Sequence, residues 1–304
     1  MTRLLIGSAN ALSGLAPAAD LLTSGGSAVA AVELAIRAAE DNLADHTVGS
    51  GGYPNILGEV ELDASIMEGA TRQAGAVAAV KGCANPITLA RMVMERLPHV
   101  MLVGEGAARF ARECAMVPRE LLTEPAAATW RRGISALPRD ALAGPLASHV
   151  HHLVLDPEHV TGTVNVIARD EAGRMASGAS TSGWAWKYPG RCGDSASIGA
   201  GNFCDDRFGA AACTGWGELA MRTAGAAGIV SALRHGAELE EACRRLLTDL
   251  PDPGVAADDV PLHVVAVDAA GAHLAASTTS DARYALWEDG MANPEERPRL
   301  TVQP

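Results

Sequence analysis

The chain has 304 residues, 48% hydrophobic but only 4% aromatic, which allows one large domain or two small ones around an alanine-rich core. Its formal charge is −12, from 36 acidic and 24 basic residues. That excess of carboxylates argues against nucleic acid or an anionic membrane as partner, and no run of about 18 apolar residues is present to span a bilayer.

The N-terminus, Met1 to Gly7, has one early charge and a short apolar run, so Leu4–Ile6 reads as a first strand and not as a signal peptide. A cytoplasmic location is the corresponding expectation. Ser27 is placed to cap a helix over about Ala28–Asn42, with Val29, Val32, Leu34 and Ile36 on its apolar side. A glycine-dense loop follows over Thr47–Asn55. Glu61–Met67 alternates polar with small or apolar residues as a strand does, Ala74–Val80 is a second strand, and the two read as an antiparallel hairpin. Asn85-Pro86 starts a helix that Pro98 ends, Val100–Val103 is a short buried strand, and Glu105–Met116 is another helix.

From about Thr123 to Gly162 prolines punctuate the chain and periodicity fades, which predicts a surface linker. His149, His151, His152 and His159 fall in it, but without a rigid element they make a poor metal site. Strands resume at Thr163–Ala168 and Arg174–Thr181, then Phe208–Thr214. Helices follow over about Gly217–His235 and Glu238–Asp249. Leu262–Asp268 and Ala272–Ser277 form a last hairpin, and Arg283–Trp287 adds an edge strand. The order predicts an α+β fold: two sheets stacked face to face with helices outside, an αββα four-layer sandwich. The six cysteines (Cys83, Cys114, Cys192, Cys204, Cys213, Cys243) show no C-x-x-C pair and read as reduced, mostly buried thiols.

The chemistry-bearing residues cluster in the second half. Thr163 opens a Val-x-Val strand after Gly162, which alone is ordinary. As a new N-terminus, however, it would carry both a hydroxyl nucleophile and an α-amine of pKa about 7.7–8 to serve as its base. Thr181, at the end of the paired strand, can face it. Arg191 and Asp194 in Gly-Arg-Cys-Gly-Asp-Ser suit the carboxylate and ammonium of a free amino-acid head group. The Thr214 hydroxyl and the Gly215 N–H can stabilise an oxyanion, one such donor being worth about 3 kcal/mol.

These segments together resemble the glycosylasparaginase (aspartylglucosaminidase) and isoaspartyl peptidase/L-asparaginase family of N-terminal nucleophile hydrolases. The likeness runs through Gly25–Ala28, Val48–Pro54, Leu62–Gly69, Leu102–Glu105, Gly190–Ser195, Gly199–Asp206 and Cys213–Gly217. It implies a single domain over 1–304, cut between Gly162 and Thr163 into chains 1–162 and 163–304, without cofactor or metal, and assembled as a dimer. It implies Thr163 as nucleophile, Thr181 as its hydrogen-bond partner, and Thr214 and Gly215 as oxyanion hole. Arg191, Asp194, Gly215 and Gly217 would bind the substrate, the β-aspartyl amide of an N4-substituted asparagine. Asparagine and isoaspartyl peptides are the alternative substrates, and a chain that stays uncut would only bind an amino acid. Three positions depart from the pattern. Gly162 stands where glycosylasparaginases carry Asp, Asn165 stands where a glycine is usual, and no aromatic wall residue occurs between Ala9 and Leu22.

Overall fold

The computed structural model describes residues 1–138, 141–153, 162–252 and 261–303. In the first half β1 (Leu4–Ser8), α1 (Leu12–Thr23) and α2 (Ala28–Glu40) lead into the hairpin β2 (Leu62–Glu68) and β3 (Ala74–Val80). Then come α3 (Pro86–Arg96), β4 (Met101–Val103), α4 (Gly104–Glu113), α5 (Glu124–Gly133) and α6 (Ala147–Leu153). The second half holds β5 (Val164–Arg169), β6 (Met175–Thr181), β7 (Asn202–Asp205), β8 (Gly209–Gly215), α7 (Gly217–Thr223), α8 (Gly225–Arg234) and α9 (Leu239–Thr248). It ends with β9 (Leu262–Asp268), β10 (His273–Ser277), β11 (Arg283–Glu288), β12 (Glu295–Pro298) and β13 (Leu300–Thr301).

The strands form an eight-stranded sheet, β12-β11-β1-β5-β6-β2-β3-β4, and a five-stranded sheet, β13-β10-β9-β8-β7. Side chains alternate across each strand and sort the core into three layers. Val164, Val166 and Ala168 of β5 pack with α1 to α3 through Leu15, Val32, Ile36 and Ile87. Ile167 points the other way and meets Leu4, Ile6, Ala210, Ala212, Val265 and Val267 between the sheets. Cys213, Leu262 and Val264 face α7 to α9 with Leu219, Ile229 and Leu247. This is the αββα sandwich expected. Thr163 has the parity of Ile167, and Thr214 that of Ala212, so both lie on the inter-sheet side at one end of the sandwich.

Several local expectations hold. Ser27 Oγ accepts the Ala30 N–H at 3.2 Å, and Pro86 begins α3. Others are corrected. Helix α1 was not expected; Pro17 lies inside it on the exposed face while Leu15, Ala18, Ala19 and Leu22 are buried. Most of the expected linker is ordered. Pro125 is a helix starter in α5, and the Trp130 indole donates to the Ile56 carbonyl at 3.1 Å. Residues 154–161 and the side chains of His151, His152 and His159 lie outside the described residues. The long helix expected over Gly217–His235 is two, split at Ala224 with φ +49°. Strand β11 is internal, between β1 and β12. Strand β4 is an open edge with Val103 57% exposed, not a buried strand. Strand β7 was missed, being four residues in a glycine-rich stretch.

Helix α2 ends on a buried carboxyl. Glu40 Oε1 accepts the Ser180 hydroxyl at 2.7 Å and the Ile87 N–H at 3.0 Å, tying α2 to β6 and to the first turn of α3. Burial raises its pKa to about 8, above the counter-effect of those bonds. The folded state therefore holds this proton where the unfolded chain has lost it, and stability falls as pH rises from about 4.5 to 8, by up to about 1.4 kcal/mol per pH unit. In Glu40→Gln, chemical denaturation should show a flatter pH profile across that window. An unchanged slope would mean that Glu40 is ionised in the folded protein.

Candidate active site

The site is built where β5, β6 and β8 end together. Thr163 is 7% exposed and Thr214 5%. The Gly183 N–H donates to Thr181 Oγ1 at 2.9 Å, which turns the hydroxyl proton toward the Gly162 carbonyl at 2.8 Å. Thr181 thus grips the peptide just before Thr163. Gly162 lies flat against Thr47: a Cβ on it would come within 1.9 Å of the Thr47 Cβ. Contact this close leaves room for glycine alone and accounts for the missing Asp.

Thr47 belongs to a network that the sequence reading did not pick out. Its Oγ1 donates to Asp45 Oδ1 at 2.5 Å and its N–H to the same oxygen at 2.9 Å. Asn10 Nδ2 donates to Asp45 Oδ2 at 2.9 Å, and Ser8 Oγ to Asn10 Oδ1 at 2.7 Å. Asn165 closes the chain: its N–H donates to Ser8 Oγ and its Oδ1 accepts the Ser8 N–H, both at 3.0 Å. These bonds continue the β1–β5 ladder one residue past Gly7 and Val166. Asn165 therefore stitches the strand that carries Thr163 to the end of β1. The signal available in sequence was Asp45-His46-Thr47, an Asx turn.

A second group of side chains surrounds Arg191. Its Nε and Nη2 donate to Glu218 Oε1 at 3.0 and 2.8 Å, and its guanidinium stacks on Trp184 at 4.7 Å from the ring centroid. The loop that carries it is clamped from below by buried charges. The Glu61 carboxylate accepts the Gly190 N–H at 3.0 Å, and Asp63 Oδ2 accepts the Gly193 N–H at 2.9 Å. Lys187 is fully buried, donates to the Glu61 carbonyl at 2.9 Å, and has its pKa lowered by burial. Asp194 is buried, with Oδ2 unpartnered among the described residues. Burial raises its pKa to about 7, with Glu218 and Asp63 adding to the rise and Arg191 opposing it. Gly217 packs on it, a Cβ there falling 2.5 Å from Asp194 Oδ1. Between the sheets Asn202 Nδ2 donates to Ser65 Oγ at 2.5 Å, and Ser65 Oγ to the Ser195 carbonyl at 2.5 Å, which holds the turn after Asp194.

Gly215 sits at φ +107°, a conformation natural to glycine, with its Cα face against the Pro261 carbonyl. Gly162, Thr163 and Gly215 line two spaces at once. One is a cleft of about 10 Å³ with Thr181, Gly183, Trp184, Arg191 and Asp194, about the room of one water. The other is a cavity of about 800 Å³ with Ala9, Asn10, Asp45, Thr47, Tyr53, Thr214, His263 and Arg299 among its walls. The uncut peptide stands between the two. The aromatic wall sought between Ala9 and Leu22 is absent there; Tyr53 lines the cavity and stacks on His46, with ring centroids 5.1 Å apart. Among the described residues no group of His, Cys, Asp and Glu is arranged to hold a metal, and no helix is long and apolar enough to cross a membrane.

Comparison with known proteins bears on this arrangement. A family model described as asparaginase matches residues 9–295. The chain is 38% identical over 224 residues to the N(4)-(beta-N-acetylglucosaminyl)-L-asparaginase of Elizabethkingia miricola, covering 74% of this chain and 62% of that protein. It is 38% identical over 271 residues to the plant-type L-asparaginase of Pyrococcus horikoshii, covering 89% of this chain and 86% of that one. It is 40% identical over 225 residues to the human isoaspartyl peptidase/L-asparaginase, covering 73% of this chain and 68% of the human protein.

The electrostatics around Asp194 carry a direct test. Replacing Arg191 by Met removes the one neighbour that favours the carboxylate, so the Asp194 midpoint, followed by carboxyl carbon NMR, should move up from about 7. A midpoint that stays or falls would show that Arg191 does not act on this group.

Proposed function

Because the chain belongs to the asparaginase family, we propose that it is an amidohydrolase of N4-substituted asparagine that activates itself by cutting its Gly162–Thr163 bond. The observation that carries this reading is the uncut peptide wedged between a cleft too small for an amino acid and a large cavity. Cutting the bond after Gly162 frees its carboxyl end to withdraw, which joins the two.

In the first step Thr163 Oγ attacks the Gly162 carbonyl carbon, already polarised by the Thr181 hydroxyl at 2.8 Å. The C–N bond breaks, the hydroxyl proton passes to the freed amine, and water hydrolyses the ester to leave a Gly162 carboxylate. Thr163 then holds a free α-amine beside its own hydroxyl. In the second step the amine takes the Oγ proton, and Oγ attacks the side-chain amide carbon of the bound asparagine derivative. The oxyanion meets the Thr214 hydroxyl and the Gly215 N–H. The substrate carboxylate takes the remaining N–H groups of Arg191, and its ammonium the open oxygen of Asp194. The leaving amine departs with the proton, and water releases aspartate from the β-aspartyl ester. The amine leaves toward the 800 Å³ cavity. That size supports a substituted amide over free asparagine, with glucosaminyl amine and amino acids both admissible. A dimer of cut protomers, a cytoplasmic location and no cofactor complete the reading.

Cleaved protein assayed on glucosaminyl-asparagine, β-aspartyl dipeptides and asparagine should turn over at least one substituted substrate about tenfold better than asparagine, judged by kcat/KM. Thr163→Ala should lose both chain scission and turnover, by about 10³-fold or more. A folded Thr163→Ala protein with substantial turnover would place the chemistry elsewhere. The acid limb is a second check. Asp194 must be ionised and the Thr163 amine neutral, and both conditions fail as pH drops. A plot of log kcat/KM against pH should steepen toward a slope of two below about 7; a flat profile there would contradict the pairing of these two groups.

A further inference from the structure

Arg299 is the unexplained charge of the large cavity. It follows β12 and is 8% exposed. Nε donates to the Arg283 carbonyl at 2.9 Å and Nη1 to the Val264 carbonyl at 2.8 Å. These bonds use two of its five N–H groups. Among the described residues no carboxylate lies within ion-pair distance of it. A buried guanidinium with no counter-ion is costly. Burial lowers its pKa to about 10, which still leaves it cationic at neutral pH.

The cavity's acids do not compensate it. Asp45 is engaged by Asn10 and Thr47, and Glu296 by Arg283 Nε at 3.0 Å. His263, on the same wall, is held neutral, its pKa lowered to about 4 by burial and by Arg299 itself. Its Nδ1 bonds Ser277 Oγ at 2.8 Å. The position is also right. Arg299 grips Val264, and His263 next to it pairs across the sheet with Thr214. Neighbouring strands lie about 4.8 Å apart, so the guanidinium is on the order of 10 Å from Thr214. One extended residue of about 3.5 Å with a hydrogen bond of about 2.9 Å at each end spans about 9 Å, which brings a leaving group's acid into that range.

We propose that Arg299 is the anchor of an anion subsite that selects leaving amines carrying a carboxylate. The inference rests on the amidohydrolase reading and names the chemistry of its leaving group. A planar guanidinium whose remaining N–H groups meet no partner among the described residues binds a carboxylate through paired bonds, which a neutral group of the same size cannot replace. The carboxylate can belong to an amino acid, as in a β-aspartyl peptide, or to an acidic sugar amine.

Two matched pairs separate these sources: β-aspartyl-leucine against β-aspartyl-leucinamide, and glucuronyl-asparagine against glucosyl-asparagine. The wild-type enzyme should favour the acidic member of at least one pair by about tenfold or more in kcat/KM, mostly through KM. In Arg299→Met that ratio should fall to near one, and Arg299→Lys should restore part of it. The ratio is internal to each protein, so a general loss of activity does not distort it, and the wild-type comparison stands even where the Met variant does not fold. Turnover without preference in either pair overturns the subsite, as does a preference that survives in folded Arg299→Met. No turnover of any substrate by cleaved protein overturns the amidohydrolase reading and this inference with it.

Discussion

One hydroxyl, held by one backbone N–H, aims its proton at the carbonyl of Gly162. The rest of the site depends on that bond. It fixes the face of the peptide that Thr163 sees and polarises the carbon that Thr163 attacks in the proposed cleavage. It works only because Gly162 lies flush against Thr47, a fit that any Cβ would destroy. Thr47 is in turn fixed by Asp45, and Asp45 by Asn10. A residue that departs from the glycosylasparaginase pattern, Gly162, is thus matched to its neighbour, and another, Asn165, bonds the strand beside it. On the proposed mechanism the same hydroxyl serves twice. It activates the bond to be cut, then is left beside the new amine.

The frame around this bond is stiff for physical reasons. Strand β5 lies between β1 and β6 within the larger sheet and is buried along its whole length. The Arg191 loop is not a regular element, yet it is pinned at Gly190 and Gly193 by two carboxylates from β2 and its approach. Those carboxylates are themselves buried, with Lys187 fully enclosed beside them. Burying such charges is expensive unless they are paired and bonded. Here they place one guanidinium and one carboxyl across from Thr163, which loop packing alone would leave free to drift.

Much of this was legible in the sequence. The β-branched and small-residue runs of β2, β3, β5, β6, β9 and β10, set off by turn residues, marked the two sheets, because strands covered on both faces read as short apolar segments rather than as alternation. Thr163, Thr181, Arg191, Asp194, Thr214 and Gly215 were singled out as candidates from residue chemistry and motif order, and the fold brings all six to one end of the sandwich. What escaped did so for identifiable reasons. Pro125 read as part of a linker, yet a proline in a first turn leaves a helix standing. Asp45, Thr47, Glu61, Asp63 and Lys187 act through partners far along the chain, so no local pattern announces them. Arg299 belongs to no motif; only the absence of a counter-ion among the described residues singles it out.

The account turns on the α-amine of Thr163 becoming free. N-terminal sequencing of the purified, active protein, run on both of its chains, tests this most directly. The account predicts two sequences in equal amounts, one from the start of the chain and one reading Thr-Val-Asn-Val from residue 163. Full activity from protein that yields no sequence beginning at Thr163 would contradict it.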